Sequence, residues 1–434
     1  MIDIKLIREN PKLVRENIKK KFQNEKLQLV NQVEKLDSEW RKLRYKEDNL
    51  RSERNKISEE INKAKKSKDN KKSRELIKKA KEIPGKIEKI EVKTKKLSLE
   101  IKQIMNQIPN IIHKSVPIGK DEKDNVEIKK IGKPKKFDFK IKNHVEIGEY
   151  LKVLDFNRSA KVAGKGFYYL IGDLALLNQA IIRFSIDFME KKGYIYIEPP
   201  LMLRKSILSS ALDTDEFKNT IYEIKDEDLN LIGTSEYSLL GMHTNETFKE
   251  KELPKKYFSY TMCFRKETGS HGLSEKGLYR THQFNKVEQF IFCNPEDSYK
   301  YYDEMMNNSI ELFKKLEIPT RVLEMCSGDL AVWKAKSADL ESFRSTTKNY
   351  EEIGSLTNCT DYHARNLNIK IQRQDSERVF CHTLNNTVVA TSRVLITIIE
   401  NNQQKDGSVK IPKVLIPYMN GKKKIEVRNG KEKI

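Results

Sequence analysis

The sequence lacks the patterns that build metal centres, disulfide frameworks and membrane spans. Its five cysteines are scattered and never spaced as Cys-x-x-Cys, and its seven histidines include no His-Glu-x-x-His. These absences argue against a structural zinc site and a disulfide-stapled fold. No apolar run reaches the roughly 18 residues that a membrane helix needs. The N-terminal segment is charged throughout, so we predict no secretory signal, no membrane association and a reduced, cytoplasmic setting.

Acidic residues are in the minority. Among 434 residues, 84 Lys and Arg stand against 63 Asp and Glu, a net charge of +21. A balance of this size favours a polyanionic partner, either nucleic acid or an acidic membrane surface. A lysine-rich proteome with solvated surfaces explains the same composition equally well. The length predicts two domains or more.

Glycine and proline are almost absent from the first hundred or so residues, which instead carry two apolar seams with a 3.5-residue period. The polar stretch 65–73 between the seams suits a turn. We therefore predict an antiparallel helical hairpin, about residues 27–105, that projects into solvent because few other apolar residues remain to cover it. The first seam comprises Val33, Leu36, Trp40, Leu43, Leu50, Ile57, Ile61 and Ala64, with Glu47 and Arg54 interrupting it, and the second comprises Leu76, Ala80, Ile83, Ile87, Ile90, Thr94, Leu97, Ile101, Ile104 and Ile108.

The hairpin is basic and contains a helix breaker. From Ile61 to Met105, 16 Lys and Arg stand against 6 acidic residues, a net of +10. This charge fits a solvated helical face, a coiled coil that binds another coiled coil, or a strut that lies along phosphates. Pro84-Gly85 should kink or break the second helix, because proline removes a backbone hydrogen bond.

The chain changes character after the hairpin. Residues 113–142 are rich in proline, glycine and mixed charge, which predicts a linker. From residue 143 onward, strand-like apolar stretches alternate with amphipathic helices without a regular βαβ repeat. We therefore predict an α+β protein, in which an N-terminal domain (1–112) carries the two-helix coiled-coil arm and the remainder (143–434) is built on a largely antiparallel sheet.

The strongest local signal for chemistry lies between residues 258 and 292. Alternating apolar and polar residues predict two antiparallel strands, joined by a glycine-bearing loop that can approach a ligand closely. Two arginines for phosphates, an aromatic ring for a base and carboxylates for an amine or ribose form a coherent nucleotide site. A surface hairpin with ion pairs would carry the same residues. Those expected on one face are Arg265, Glu267, Arg280, Phe284 and Glu288, around a loop with Gly269, Gly272 and Gly277.

This segment resembles motif 2 of the class II aminoacyl-tRNA synthetases, which reads aromatic-Arg-x-Glu, a loop, then Arg-x-x-x-Phe-x-x-x-Glu. Gly193–Met202 fits motif 1 of that class, and Thr387–Arg393 with the apolar run after it fits motif 3. Three motifs in order are far more specific than one. They span about residues 175–202, 258–292 and 383–400.

Within that class the chain resembles the seryl-tRNA synthetases over essentially its whole length, including the N-terminal segment, the arm, Gly233–His243 and Glu351–Lys370. The resemblance implies an enzyme that activates serine with ATP to seryl-adenylate and passes serine to the 3′ end of tRNA(Ser). Many members also serve tRNA(Sec). The competing hypotheses are a synthetase-derived ligase that loads a carrier protein and a non-catalytic RNA-binding protein.

The resemblance also implies partners and a cofactor. ATP is a substrate and Mg²⁺ accompanies its phosphates. The family forms homodimers with motif 1 at the subunit interface. Its arm reaches the tRNA held on the other subunit and grips the long variable arm by shape and backbone.

Roles for individual residues follow from the same resemblance. Arg265 should bridge the α-phosphate and the serine carboxylate, while Glu267 reads the adenine amino group. Phe284 should stack on one face of adenine. Arg393 should lie on the other face of adenine or on the γ-phosphate. The serine site comprises Thr234, Ser235, Glu236, Arg265, Glu288, Asn385 and Thr387. The ATP site comprises Arg265, Lys266, Glu267, Arg280, Thr281, Phe284, Glu352, Ile353, Gly354, Ser355 and Arg393, of which Glu352 and Ser355 hold Mg²⁺ with the phosphates.

The sequence departs from the usual family pattern in places. Motif 3 carries Asn386, Val388 and Ser392 where relatives often have glycine. Gly354 stands where serine is common, and Lys276 stands where arginine is common, which keeps the charge but loses the bidentate fork. At these positions the family pattern does not fix the backbone geometry around the adenylate.

Overall fold

The computed structural model describes residues 1–212, 218–267 and 277–427, and divides into two compact units, Met1–Pro109 and Asn110–Ile434. Within those ranges no helix combines the length and apolarity needed to cross a bilayer. The helices are α1 (Ile4–Glu9), α2 (Pro11–Lys20), α3 (Leu27–Lys66), α4 (Asn70–Met105), α5 (His144–Tyr150), α6 (Phe156–Ala163), α7 (Asp173–Lys191), α8 (Lys205–Ala211), α9 (Ser235–Gly241), α10 (Ser298–Lys315), α11 (Tyr362–Leu367) and α12 (Thr391–Asn401).

The strands all belong to the second unit. They are β1 (Val126–Ile131), β2 (Leu154–Asp155), β3 (Tyr169–Leu170), β4 (Ile195–Tyr196), β5 (Met202–Leu203), β6 (Asn230–Leu231), β7 (Thr247–Lys249), β8 (Lys255–Phe264), β9 (Gln283–Cys293), β10 (Thr320–Glu324), β11 (Lys336–Arg344), β12 (Asn349–Thr360), β13 (Lys370–Gln372), β14 (Arg378–Phe380), β15 (His382–Ala390), β16 (Val409–Lys410) and β17 (Lys424–Ile425).

In the first unit, α3 and α4 form the predicted helical hairpin. Only residues 67–69 separate them. Lys68 takes a left-handed conformation with φ 58°, and the Asp69 side chain accepts a hydrogen bond from the Lys72 backbone N–H. A left-handed residue and an N-cap together reverse the chain sharply and satisfy the start of α4.

The predicted seams are the buried faces of the hairpin. Their side chains pack because residues three and four apart share one side of a helix. The buried members are Val33, Ile57 and Ala64 on α3, and Leu76, Ile83, Ile87, Ile90, Thr94 and Ile101 on α4.

Glu47 interrupts the first seam as predicted, whereas Arg54 is exposed and does not. The Glu47 side chain is fully buried. It forms ion pairs of 2.9 Å with Arg44 and with Arg51, and Arg51 also pairs with Glu91 on α4. A buried carboxylate is tolerated here because two arginines of its own helix supply the opposite charge.

Of the predicted kink or break at Pro84-Gly85, the break does not occur, because α4 runs through this point without interruption. Proline removes one backbone hydrogen bond, but the turns on either side are held by packing. Ile83 and Ile87 flank the proline and belong to one buried cluster with Ile57 and Leu76. Tertiary contacts therefore outweigh the local preference.

The second unit is built on one eight-stranded sheet with the order β1-β10-β11-β12-β15-β9-β8-β4. Every neighbouring pair is antiparallel except β4 and β8, which run parallel. This confirms the predicted α+β class with a largely antiparallel sheet. Helix α10 packs on β12 and β15, and α12 packs on β9 and β11.

The segment predicted as a linker, 113–142, contains β1. Val126 pairs with Glu324 and Ile131 with Thr320, so β1 is the edge strand beside β10. Five of its six residues are exposed. Residues 126–129 alternate apolar and polar, but the pattern stops at Lys130, so the sequence carries only a short strand signal here.

The contribution of the buried seam to the stability of the arm can be tested by mutation. Replacing Ile87 with alanine should destabilise the arm by about 2–4 kcal/mol, because it removes buried methyl groups and leaves a cavity beside Pro84. Hydrogen exchange in the full chain should show faster exchange of the central amides of α3 and α4. Val92→Ala is the matched control, since Val92 is 66% exposed on the same helix. Equal exchange rates in both variants would contradict the packing described here.

Candidate active site

A cavity of about 400 Å³ in the second unit gathers most of the residues that the sequence predicts for the site. Strands β9, β11, β12 and β15 supply part of its lining, and the rest comes from α8, α9 and α12 and from the segments that follow β8, precede β9 and follow β10. The predicted residues that line it are Thr234, Glu236, Arg265, Glu267, Arg280, Thr281, Phe284, Glu352, Ile353, Gly354, Ser355, Asn385, Thr387 and Arg393.

Three predicted residues do not line the cavity. Glu288 is fully buried and contacts Thr234 and Asn385, which do line it. Ser235 is buried in the first turn of α9, and the Lys266 backbone N–H donates to the Thr220 carbonyl. The structure therefore does not bring the side chains of Ser235 and Lys266 into the site. Gly269, Gly272 and Lys276 lie outside the described residues.

Strand register explains why residues distant in sequence meet. In the antiparallel pair β9–β15, Glu288 lies opposite Thr387, and in β12–β15 Thr357 lies opposite Asn385. Side chains alternate along a strand, so Phe284 and Glu288 point to the same face of β9. The cavity is the polar side of these central strands.

One end of the cavity is organised around the Glu288 carboxylate. Thr234 Oγ1 donates to Glu288 Oε2 at 3.3 Å, and Asn385 Nδ2 donates to Glu288 Oε1 at 3.3 Å. Asn385 Nδ2 also donates to Glu236 Oε2 at 2.9 Å. Lys286 forms an ion pair with Glu288. Two carboxylates at one end of the cavity can accept an ammonium group and a hydroxyl.

The other end combines arginines with aromatic rings. The Arg265 guanidinium lies 5.3 Å from the centre of the Phe284 ring, and Arg265 Nε donates to the Gly233 carbonyl at 3.2 Å. Arg280 forms a 3.2 Å ion pair with Glu267, whose backbone takes a left-handed φ of 49°. These side chains are placed to bind phosphates and a base.

Arg393 stacks on a ring that the sequence did not single out. Its guanidinium lies 4.7 Å from the centre of the Tyr279 ring. It also forms a 3.1 Å ion pair with Glu352. The charge of Arg393 lowers the pKa of the Glu352 carboxyl against the effect of burial. Burial acts to lower the pKa of Arg393, but Glu352 and Tyr279 outweigh it and the pKa is raised.

Several further residues line the cavity that sequence reasoning missed. Asp339 on β11 lies opposite Ser355 on β12, and burial together with the charge of Glu352 raises its pKa to about 6. Lys286 could have been predicted, because Phe284, Lys286 and Glu288 are two residues apart and therefore share one face of β9. Asp339 could not, because its position depends on how β11 pairs with β12. The missed residues include Tyr279, Lys286, Trp333, Lys334 and Asp339.

Two departures from the family pattern have a structural reason. A Cβ atom at Gly354 would lie 3.0 Å from Thr387 Cβ, so glycine leaves room for the Thr387 side chain. Asn386 points to the opposite face of β15, where its Nδ2 donates to the Met305 carbonyl and to Ser309 Oγ, each at 2.9 Å. Asn386 therefore anchors β15 to α10 instead of lining the cavity.

A buried ion pair and a histidine hold the segment that leads into β9. Leu278 donates its backbone N–H to His144 Nε2 at 3.2 Å, so the proton of His144 lies on Nδ1 and is donated to Glu400 Oε1 at 2.9 Å. Arg344 binds both oxygens of Glu400, at 2.8 and 3.1 Å. Burial acts to raise the pKa of Glu400, but His144, Arg344 and Thr346 lower it to about 2.

The chain is similar in sequence to known protein families. Residues 1–112 match the family model for the seryl-tRNA synthetase N-terminal domain, and residues 218–402 match the tRNA synthetase class II core domain (G, H, P, S and T). A serine–tRNA ligase from Methanospirillum hungatei is 48% identical over 72% of this chain and 74% of that protein. One from Nitrosopumilus maritimus is 45% identical over 73% of this chain and 76% of that protein.

Solved structures match over the whole chain. The seryl-tRNA synthetase from Pyrococcus horikoshii complexed with ATP has a TM-score of 0.92 and 41% identity, covering 99% of this chain and 100% of that one. The cytoplasmic enzyme from Naegleria fowleri in complex with AMP has a TM-score of 0.87 and 36% identity, covering 99% of both chains.

The Glu400 cluster predicts a pH dependence of stability. The folded pKa of about 2 lies below the ordinary 4.5, so the stabilisation is complete above pH 4.5 and is lost as the pH falls towards 2. Denaturant unfolding of the wild type and Glu400→Gln should therefore differ most at neutral pH. The difference should shrink by about 3 kcal/mol on acidification. A difference that stays constant with pH would contradict this account.

Proposed function

The chain belongs to the seryl-tRNA synthetase family, and we propose that the cavity described above is where it activates serine. It is an ATP-dependent class II enzyme that joins serine to tRNA. The observation that carries the proposal is the division of one cavity into two ends. Glu236 and Glu288 supply carboxylates at one end, and Arg265, Arg280 and Arg393 line the other.

The reaction needs positioning and charge neutralisation more than it needs a protein nucleophile. The serine carboxylate attacks the α-phosphorus of ATP, seryl-adenylate forms and pyrophosphate leaves. Arg265 contacts the Gly233 carbonyl beside the serine end and the Phe284 ring at the nucleotide end. We assign it to bridge the serine carboxylate and the α-phosphate, where it stabilises the charge that develops during transfer.

Serine is recognised through its ammonium and hydroxyl groups. We assign the ammonium to Glu236 and Glu288, which Asn385 links. The serine hydroxyl is assigned to Thr387, opposite Glu288 on the neighbouring strand. Buried polar partners for this hydroxyl reject alanine, because alanine would leave them unpaired.

The nucleotide is bound by the aromatic and basic residues of motifs 2 and 3. We assign adenine to the Phe284 ring and its amino group to Glu267, which Arg280 pairs with and orients. Arg393, held between Tyr279 and Glu352, is assigned to the terminal phosphates. Thr281 and Arg280 line the same end of the cavity.

The residues fit a Mg²⁺ ion that arrives with ATP. Glu352 and Ser355 line the cavity together with Asp339, and their oxygen atoms are the ligands that Mg²⁺ prefers. Among the described residues no group of three His, Cys, Asp or Glu side chains could hold a metal ion. When bound, Mg²⁺ neutralises phosphate charge.

Motif 1 is proposed as a homodimer interface. Its strands β4 and β5 leave apolar side chains in contact with solvent: Ile195 is 59% exposed, Tyr196 39% and Met202 46%. Neighbouring apolar side chains of this kind mark protein interfaces. The basic arm is assigned to the tRNA variable arm, with tRNA(Ser) as substrate and tRNA(Sec) as a second one.

The activation step is tested by ATP–pyrophosphate exchange with a panel of amino acids. Serine should support the fastest exchange, and Arg265→Ala should slow it by about 100-fold or more, because it removes transition-state charge stabilisation. Arg373→Ala is the control, since Arg373 pairs with exposed Glu296 and does not line the cavity. Faster exchange with another amino acid, or full activity of Arg265→Ala, would overturn the assignment.

The arm is tested by changing exposed lysines without touching its seam. Replacing Lys71, Lys78 and Lys89 with glutamine should lower the slope of log affinity for tRNA(Ser) against log salt by about 2. Serine-dependent pyrophosphate exchange should not change. The control replaces exposed Lys348, Lys405 and Lys413 of the second unit, which removes the same charge. An equal effect of both triple variants would mean that net charge alone governs binding.

A further inference from the structure

Lys286 lies inside the cavity but has no role in the assignments above. It is on β9, two residues before Glu288, and both side chains point to the same face of the strand. Its ammonium pairs with Glu288 Oε2 and donates to Thr234 Oγ1 at 3.2 Å. The Lys286 side chain is 10% exposed and that of Glu288 is 0% exposed. This is a nearly buried ion pair beside the residues assigned to serine.

The positive charge of Lys286 compensates the buried negative charge of Glu288. A buried carboxylate is costly unless it is both paired and hydrogen-bonded. The other partners of Glu288 described here are the Thr234 hydroxyl and the Asn385 amide, which are neutral. Lys286 therefore supplies the positive charge in this cluster when no substrate ammonium is present.

Lys286 also sets the direction of the Thr234 hydroxyl. A hydroxyl has one proton to donate and two lone pairs to accept with. Thr234 Oγ1 accepts from the Glu236 backbone N–H at 3.3 Å and from Lys286 Nζ at 3.2 Å. Both lone pairs are then used, and the proton is directed to Glu288 Oε2 at 3.3 Å.

We propose that Lys286 is a positioning residue of the serine site, which holds the Glu288 carboxylate and the Thr234 hydroxyl in the arrangement that binds serine. The proposal rests on the assignment of this end of the cavity to serine. Lys286 acts through its two partners, and both belong to the serine end. Its loss should therefore weaken the binding of serine and leave that of ATP almost unchanged.

The test is ATP–pyrophosphate exchange with Lys286→Met and Lys286→Gln in the full chain. Both remove the charge, and glutamine keeps a hydrogen-bond donor, so the second variant guards against simple misfolding. The KM for serine should rise about 10- to 100-fold in both variants, the range expected when a hydrogen bond to a charged group is lost. The KM for ATP should stay near the wild-type value.

Lys336→Met is the matched control. Lys336 is 14% exposed and forms a 3.1 Å ion pair with Glu324, which is 9% exposed, on strands β11 and β10 of the same sheet. Neither residue lines the cavity. This variant loses an equally buried lysine charge, and its KM for serine should match the wild type.

The outcomes separate this inference from the proposed function. If the wild type shows no serine-dependent exchange, the proposed function fails. If the wild type is active and the Lys286 variants keep its serine KM, only the role of Lys286 fails. Equal increases in the KM values for serine and ATP would overturn it as well. Loss of folding in both variants would assign Lys286 to stability and would also reject the proposal.

Discussion

The fully buried carboxylate of Glu288 is the constraint on which the site depends. A charge taken out of water must be paired and hydrogen-bonded, and the structure meets this demand from three elements. Thr234 contributes from the start of α9, Asn385 from β15, and Lys286 from the same strand as Glu288. These elements meet around one carboxylate at the end of the cavity that we assign to serine. Under this assignment, stability and substrate recognition use the same contacts.

The two faces of the central strand β15 have different contacts: one lines the cavity and the other packs on α10. Asn385 and Thr387 line the cavity, while Asn386 between them binds the backbone and side chain of α10. Gly354 on β12 leaves space for the Thr387 side chain. A strand fixed on its far side holds its cavity-facing residues in place, and such preorganisation is what adenylate formation requires.

The arm shows how packing decides between competing local signals. Glu47 is a charged residue in an apolar seam, and Pro84 is a helix breaker within a helix. Both are accommodated, the first by ion pairs with Arg44 and Arg51 and the second by the buried isoleucines on either side. The exposed surface of the arm remains rich in lysine, which leaves the charge available to a phosphate backbone.

The sequence by itself determined the α+β class, the helical arm with its seams and the residues of three motifs. Periodicity and local spacing carry that information, because they depend on neighbours along the chain. Only the tertiary structure decided that β1 lies in the predicted linker, that Arg393 stacks on Tyr279, and that Asp339 faces Ser355. It also decided that Ser235 and Lys266 stay out of the cavity. These facts depend on strand pairing and packing between residues far apart in sequence, which no local pattern records.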